Sequence, residues 1–500
     1  MKIRFLTYLI ILSLIPNSVR SQEPRVLNFD ESLDIALKSS FTFKELENNF
    51  RRDYYNLKAE QAGFKSSANM YFTLPEFNES VTQQYNSVSE THEFVSSKRL
   101  RYKSNLIVRQ PIPTGGDVSF NAYFSTLDQY TNSMYYIGSL FLKFEQPILQ
   151  PNELKNDLER AVIRLERTRL SYAQRKSGSL AWMTGIYYDL YRIQKRIELK
   201  EELLLQIIET YSQAENRIQR AEIDSTELLQ LNIDKDNLES DLVKLKADRE
   251  NREERFKQQI GLDQSINIAV ADEDDFSPVS VNLEDALDKG MLYRPEVKRF
   301  ELDLRNRNID IERIKSRGKL RGSIVITFGF DNIENELSNL FVDYNQSRSI
   351  MLELSLPIVD WGRNEARLAE QNIIKEKLLN AQNNQSIQIR REISDAYYSL
   401  HESMNRLDNL SDSQGNAERS YELTSDQFAQ NEVKAQDLRL ARQRYIDTVD
   451  RWLNALVDYK SAIIGLNRMT MWDFQKNRGF VTEEEINEII RRVENNDNNN

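Results

Sequence analysis

The chain has 500 residues and a net charge of −11, and its 29% of charged residues with little glycine or proline favour long solvated helices over several compact domains. It has no cysteine, which excludes disulfides, thiol catalysis, Cys-metal sites and a lipid-anchored N-terminal cysteine, and its two histidines make a His-rich metal centre remote. It has neither a large Lys/Arg block nor a cofactor motif, so we expect no nucleic acid and no cofactor as partners.

The N-terminus has the pattern of a secretory signal peptide. Lys2 and Arg4 precede an apolar run from Phe5 to Ile15, and Pro16 ends that run. We predict that residues 1–21 are removed. A membrane-anchor helix is the weaker alternative, because the apolar run is about half the roughly 20 residues that span a bilayer. An exported chain without longer apolar runs must reach a membrane without hydrophobic helices.

The chain then repeats itself. Leu27–Lys44 aligns with Val281–Lys298, and further on residues 144–161 align with 354–371. The offset between the copies changes along the way, which indicates an insertion in the first copy between about 78 and 134. We therefore predict a duplicated chain. Its segments are a first repeat (22–266), an acidic linker (267–280), a second repeat (281–466) and a C-terminal tail (467–500).

Each repeat has the same predicted order of elements. A short helix with an acidic cap, Asp30 or Glu284, leads into a helix of about 20 residues. Strands follow at 67–147 and 321–357, and helical hairpins at 152–261 and 362–465. Near-heptad apolar spacing indicates long supercoiled helices. A helix over residues 152–219 would be about 100 Å long at 1.5 Å per residue.

The strands alternate apolar and polar residues, as in Ile350–Leu356 and Ile324–Phe330. In a soluble protein the apolar face would cover a core. The exported chain has few strands and little to cover them, so a lipid-facing wall is favoured. An open sheet in lipid leaves backbone groups unpaired at its edges, and neighbouring subunits must therefore close it.

The stretch SLPIVDWGRNEARLA at 355–369 marks a joint between strand and helix. Pro147, Pro357 and Gly362 are the joint residues, because proline cannot continue a sheet ladder. Gly115-Gly116 lies between two alternating runs and predicts a hairpin turn inside the insertion. The sequence leaves open whether that hairpin extends the strands outward or adds to the wall.

Several segments together resemble the TolC-like outer membrane efflux proteins. They are the joints LSLPIVDWGRNEARLA and FEQPILQPNELKNDLERA, the leading LNFDESLDIAL and VNLEDALDKGMLYRPEV, and the endings IGLD and IGLN. The resemblance implies an α+β membrane protein without an active site, with an antiparallel α-helical barrel and a transmembrane β-barrel completed by trimerisation. It also implies docking on an inner-membrane transporter and its periplasmic adaptor.

The resemblance also points to functional residues at the hairpin tips. Candidates for adaptor docking are Arg217, Ala221, Ile223, Asn431 and Val433. Ala221 and Asn431 stand where the family has a turn glycine. Asparagine tolerates positive φ and alanine does so poorly, so we expect the first tip to turn differently.

Asp437 and Glu227 are the candidates for a pore constriction, where a ring of carboxylates would favour cations. The alternative is that both are solvated acids on a helix face. The leading hypothesis is a passive exit duct in the outer membrane, spanning into the periplasm, for tripartite efflux or type I secretion. The alternative is an exported periplasmic coiled-coil scaffold whose strands form a soluble cap.

Overall fold

The computed structural model describes residues 24–88, 90–128, 134–219, 224–272, 278–342, 344–430 and 432–497. The predicted signal peptide lies outside them. The chain divides into two compact units. The first consists of Met1–Lys44, Ser179–Pro278 and Leu400–Ile464, and the second of Glu45–Gly178, Val279–Ser399 and Gly465–Asn500.

Helices and strands follow the same order in both halves of the chain. The helices are α1 (Phe29–Ser39), α2 (Phe41–Ala62), α3 (Glu153–Ile218), α4 (Ser225–Ile260), α5 (Leu283–Tyr293), α6 (Pro295–Arg317), α7 (Arg363–Ala429), α8 (Ala435–Thr470) and α9 (Glu483–Asp497). The strands are β1 (Arg25–Leu27), β2 (Ser67–Asn86), β3 (Thr91–Pro111), β4 (Asp117–Asp128), β5 (Met134–Ile148), β6 (Ile268–Val270), β7 (Arg321–Glu334), β8 (Asn345–Ser355), β9 (Trp472–Asp473) and β10 (Arg478–Gly479). Each half has two shorter helices, then strands of one sheet, then a long helix and a return helix.

The long helices extend over the proline-free parts of the sequence. α3 has 66 residues and α7 has 67, and each begins immediately after a strand-to-helix joint. The return helix α8 continues to Thr470, past the end of the hairpin expected from the sequence. The expected tail holds further elements, since β9 pairs with β10 and α9 buries Ile486 and Ile489.

The short helices α1 and α5 are capped by asparagine. The Asn28 side chain accepts a hydrogen bond from the Glu31 backbone N–H at 2.7 Å, and Asn282 accepts one from the Glu284 N–H at 2.7 Å. The predicted caps Asp30 and Glu284 were therefore wrong. Both acids lie in the first helical turn, where a carboxylate is favoured by the helix dipole instead.

The first unit contains a small parallel sheet beside its helices. β1 pairs with β6, so the segment expected as an acidic linker contains a strand, while residues 273–277 lie outside the described part. Tyr187 is fully buried, and its hydroxyl donates to the Leu27 carbonyl at 3.2 Å. The rings of Phe29 and Phe256 lie 5.5 Å and 6.0 Å from that of Tyr187. Aromatic packing therefore joins α1, α3 and α4 within this unit.

The second unit contains a six-stranded antiparallel sheet in the order β2-β3-β4-β5-β7-β8. The turn at residues 112–116 joins β3 to β4, with Gly115 at a φ of 91°. These two strands lie between β2 and β5, so the inserted segment widens the sheet. The β2-β3 pair also continues beyond β4, which ends opposite Leu100. The inserted strands thus widen the sheet and also lengthen it along β2 and β3.

Candidate functional site

One face of the six-stranded sheet is apolar across its width. The register sets Val118 opposite Phe144, Phe144 opposite Ile326, and Ile326 opposite Ile350. Side chains at alternate positions of a strand share a face. Further members of this face are Met70, Phe72, Leu106, Val108, Phe120, Leu140, Leu142, Ile324, Phe328, Leu352 and Leu354.

Most of the apolar face is exposed, although the fully buried Leu340 covers it at Gly138. The opposite face carries most of the polar and charged side chains of the sheet. Ile350 on the apolar face is 80% exposed, whereas Ser125 on the polar face is 0% exposed. Arg109 and Asp117 form an ion pair of 2.6 Å on the polar face, and Lys143 pairs there with Glu145 at 2.7 Å. A soluble sheet would have the reverse pattern. Such a face is stabilised only when lipid or another apolar surface removes it from water.

The two edges of the sheet are unpaired. Among the described strands, β2 pairs only with β3 and β8 only with β7. A free edge presents a row of backbone N–H and C=O groups that bind another strand readily. The alternation of strand directions leaves β2 and β8 antiparallel to each other. The sheet can therefore be continued from β8 of one copy to β2 of another without a change of pattern.

The predicted joint prolines occupy two different places. Pro147 is still inside β5, opposite Ser323 and next to the last residue of the strand. Pro357 follows the end of β8 at Ser355. In both cases the ladder ends within a residue or two of the proline, as expected for a residue that lacks the backbone donor.

Gly362 and an unpredicted aspartate form the second joint. Gly362 has a φ of 76° and immediately precedes α7. The Asp360 carboxylate accepts from the backbone N–H groups of Gly362 and Asn364, each at 3.0 Å. Asp360 therefore caps the helix. The signal was present in the sequence as an aspartate just before a charged helical run.

Asn152 is the corresponding cap of α3. Its side-chain oxygen accepts from the Lys155 backbone N–H at 3.0 Å, and its amide donates to the Pro113 carbonyl at 2.8 Å. One side chain thus starts the long helix and holds the turn between β3 and β4 against it.

The tip candidates are only partly within the described residues. Ala221, Ile223 and Asn431 lie outside them. Arg217 is buried: its guanidinium lies 5.4 Å from the Phe428 ring and donates to the Phe428 carbonyl at 3.0 Å. This side chain is engaged between the ends of α3 and α7. Val433 is half-buried just before α8.

Asp437 and Glu227 occupy corresponding positions in the first turns of α8 and α4. Asp437 is exposed, and its carboxylate accepts from the Lys434 backbone N–H at 3.2 Å. Glu227 is half-buried. Acids are favoured at this place by the helix dipole, so each has a local reason to be there besides any role in a pore.

A buried ion pair lies further along the same two return helices. Arg442 Nη2 on α8 lies 2.5 Å from Asp234 Oδ2 on α4, and the side chains are only 7% and 8% exposed. Sequence reasoning missed this pair. The sequence does contain a hint of it, because Asp234 occupies a position of the apolar helical repeat between the buried Leu231 and Leu238. The partner, 208 positions away, could not be deduced.

Two tyrosines extend the polar contacts around this pair. Tyr421 and Tyr445 stack with ring centroids 5.8 Å apart, and Tyr421 donates to Gln206 at 2.8 Å. Burial, together with the neighbouring Glu418, raises the pKa of Tyr445 above its usual range. The hydroxyl therefore remains a hydrogen-bond donor at every physiological pH, here to Glu418 at 3.3 Å. Tyr445 thus ties the return helix α8 to α7, and Tyr421 ties α7 to α3.

Within the part of the chain that the structure describes, no helix is long and apolar enough to cross a membrane. Residues 298–470 match the family model of the outer membrane efflux proteins, which confirms the resemblance drawn from the sequence. The comparison with curated proteins gave no match.

Solved outer-membrane channels share the fold. The CmeC channel of Campylobacter jejuni superposes with a TM-score of 0.65 at 15% identity, covering 99% of this chain and 97% of that one. VceC of Vibrio cholerae gives 0.64 at 13% identity, with 91% and 97% covered. The open state of the MtrE channel of Neisseria gonorrhoeae gives 0.62 at 14% identity, with 91% of each chain covered.

Proposed function

We propose that this chain, whose residues 298–470 belong to the outer membrane efflux protein family, forms the outer-membrane channel of a tripartite efflux or type I secretion system. Its role is passive: substrate leaves through a water-filled interior, and the energy comes from an inner-membrane transporter. The observation that carries the proposal is the six-stranded sheet with one largely exposed apolar face and two free edges. Lipid is the environment in which such a sheet is stable.

The proposal requires several copies of the chain. No open sheet edge is tolerated in hydrocarbon, so β8 of one copy pairs with β2 of the next until the sheet closes. Three copies of the six-stranded sheet would give a barrel of about eighteen strands, a size at which barrels keep an aqueous channel. The polar face with Arg109, Asp117, Lys143 and Glu145 would then line the water.

The two halves of the chain contribute unequally to this barrel. The shared order of elements supports a duplication, with four of the sheet strands in the first half and two in the second. The second half contributes one pair of strands, and the first half carries the inserted strands as well. Both halves supply one long helix and one return helix to the periplasmic part.

The helical tips are the proposed site for docking and opening. The family resemblance suggests that a periplasmic adaptor and an inner-membrane transporter bind at the tips, where Ala221, Ile223, Asn431 and Val433 are the candidate contacts. Arg217 is better suited to holding α3 against α7, because its side chain is buried on Phe428. Opening requires the return helices to move, and the buried Asp234–Arg442 pair resists any movement that separates them.

Planar-bilayer conductance of the purified protein tests the channel directly. We expect stable conductance steps from an oligomer with the mass of three chains, recovered from the outer-membrane fraction and dissociated by heating. A monomer in the soluble periplasmic fraction that gives no conductance would overturn the proposal. That outcome would favour the coiled-coil scaffold, in which the apolar sheet face is covered by protein.

A further inference from the structure

The end of the sheet next to the long helices carries exposed apolar residues on strained backbone. Trp361 has a φ of 54° and is 95% exposed, and Leu149 has a φ of 61° and is 62% exposed. A bulky residue at positive φ is unusual and costs free energy. Both strand-to-helix joints therefore hold an apolar side chain out in solvent at that cost.

These residues belong to a set of connections at this end of the sheet. We call the set the rim and define it as residues 112–116, 149–152, 318–320 and 356–362. Asn152 donates to the Pro113 carbonyl at 2.8 Å, and Gln150 donates to the Gly322 carbonyl at 3.2 Å. A Cβ added at Gly318 would lie 2.2 Å from the amide nitrogen of Asn364, in the first turn of α7. The rim is thus a connected layer at the end of the sheet where α3 and α7 begin.

The composition of the rim is that of a lipid–water boundary. Ile358 and Val359 are exposed beside Trp361, and Leu320 is exposed at the connection between α6 and β7. Lys319 lies in the rim, Arg363 directly follows it as the first residue of α7, and both cationic side chains are exposed. Tryptophan prefers the headgroup level of a bilayer, and basic residues there bind lipid phosphates.

The position of Leu149 indicates whether lipid or a second copy of the chain covers the rim. It follows β5, which has β4 on one side and β7 on the other. A neighbouring copy joins through β2 or β8, at the edges of the sheet, and so leaves the end of β5 uncovered. Leu356, which is in the rim and exposed, stands two positions after Leu354 of the apolar face. Lipid is the environment that reaches both joints.

We propose that the rim anchors the protein at the lipid–water boundary of the leaflet nearer the helices. Trp361 and Leu149 insert at the level where the acyl chains begin, and Lys319 and Arg363 bind the phosphates of anionic phospholipid. The rim thereby fixes the depth at which the sheet sits. This inference rests on the proposed function, because it needs the sheet to be in a membrane.

Fluorescence quenching by brominated phospholipid tests the anchor. The chain has four tryptophans, and replacing Trp182, Trp452 and Trp472 by phenylalanine leaves Trp361 alone. The purified oligomer is reconstituted in phospholipid vesicles brominated near the headgroup end or near the far end of the acyl chains. We expect bromine near the headgroup end to remove at least half of the Trp361 emission, and deep bromine to remove clearly less. The Leu149→Trp variant without the native tryptophans should show the same difference in quenching between the two bromine positions.

The Ile350→Trp variant, made without the native tryptophans, is the matched control. It puts the probe midway along β8 on the apolar face, and this probe should be quenched by deep bromine. If this control is quenched while Trp361 stays open to an aqueous quencher, the anchor is overturned and the channel stands. If Trp361 and Leu149→Trp are shielded from both bromine and the aqueous quencher, a second copy covers the rim and the anchor is again overturned. If the control itself is unquenched, the proposed function fails first.

Discussion

The six-stranded sheet and the return helices α4 and α8 bury opposite kinds of side chain. In the sheet, Ile350 and Leu352 are exposed while Ser125 is fully buried. Between the return helices, Leu231 and Leu438 are buried, and the ion pair of Asp234 with Arg442 is nearly inaccessible to water. The return helices bury apolar side chains, as a protein in water does, whereas the sheet exposes them.

Under the proposed function, this difference reflects the solvent around each region, lipid for the sheet and water for the helices. A helical bundle in water is stabilised by removing leucine side chains from solvent, and a buried charge is tolerated there only with its partner. A sheet in lipid gains nothing from burying leucine against leucine, and keeps its polar groups on the side away from the hydrocarbon. Substitutions in the two regions should therefore have opposite preferences.

Asp234→Leu is expected to have the largest effect. It leaves the Arg442 guanidinium buried without its partner, which costs about 3–5 kcal/mol. Hydrogen exchange of the α4 and α8 amides in the assembled protein measures the loss of protection. The double variant Asp234→Leu with Arg442→Leu should recover most of it, because both charges are then absent.

Asp236→Leu is the control, on the same helix but with an exposed carboxylate. We expect it to change protection little, since exposed ion pairs contribute at most about 1 kcal/mol. Equal loss in Asp234→Leu and Asp236→Leu would show that the buried pair does not hold the return helices together.

Ile350→Lys is expected to rank second. A lysine near the middle of a lipid-facing strand costs about 2–4 kcal/mol. Reversible unfolding from phospholipid vesicles measures this cost. Ser349→Lys, one position away on the polar face, should be close to neutral because its charge lies in water. If the two lysines are tolerated equally, the sheet has no lipid-facing side.

Local sequence patterns predicted much of the helical architecture. The proline-free heptad spacing indicated the long helices that the structure has as α3 and α7, since helical contacts are local. Caps were less accessible: the sequence pattern predicted the acids Asp30 and Glu284, whereas Asn28 and Asn282 cap the helices, and both kinds of residue suit a helix start. A sequence pattern does not decide between neighbouring polar candidates.

Pairings between distant residues were beyond the sequence. The place of β3 and β4 between β2 and β5 depends on strand pairing, which alternation alone does not specify. Asp234 and Arg442 each stand at a core spacing, but their contact arises only when α4 meets α8. The predicted sites at the tips, by contrast, came from the family resemblance. Ala221, Ile223 and Asn431 remain predictions.

Acid pH is expected to weaken the start of α6 in the second unit. Arg294 donates to Glu296 at 3.0 Å and 3.1 Å and to Glu392 at 2.7 Å. Burial alone would raise the pKa of Glu296, but the hydrogen bonds and charge of Arg294 outweigh it and the pKa is lowered. A lowered pKa contributes stability above the unfolded value of about 4.3, and that stability is lost as the pH falls below it.

Glu296→Gln should cost about 1.5 kcal/mol at neutral pH, the worth of a hydrogen bond to a charged group. It should also reduce the acid dependence of unfolding between pH 5 and 3, a window around the unfolded pKa of roughly 4.3. Thermal unfolding of both forms across that window measures the difference. An acid dependence that is the same in wild type and variant would show that Glu296 is not among the groups whose protonation destabilises the unit.

Asp437→Asn is expected to have the smallest effect, and it separates the two interpretations of this acid. If three copies bring Asp437 to a constriction, removing the charges should lower cation selectivity and move the reversal potential in a salt gradient towards zero. The shift should be modest and should shrink at high salt, because Asp437 is exposed and screened. Glu227→Gln, at the corresponding place on α4, is the parallel variant. Asparagine and glutamine keep a side-chain oxygen and remove only the charge, so the two variants test the charge alone. Unchanged reversal potentials in both would show that the two acids do not line a constriction and act only at the start of their helices.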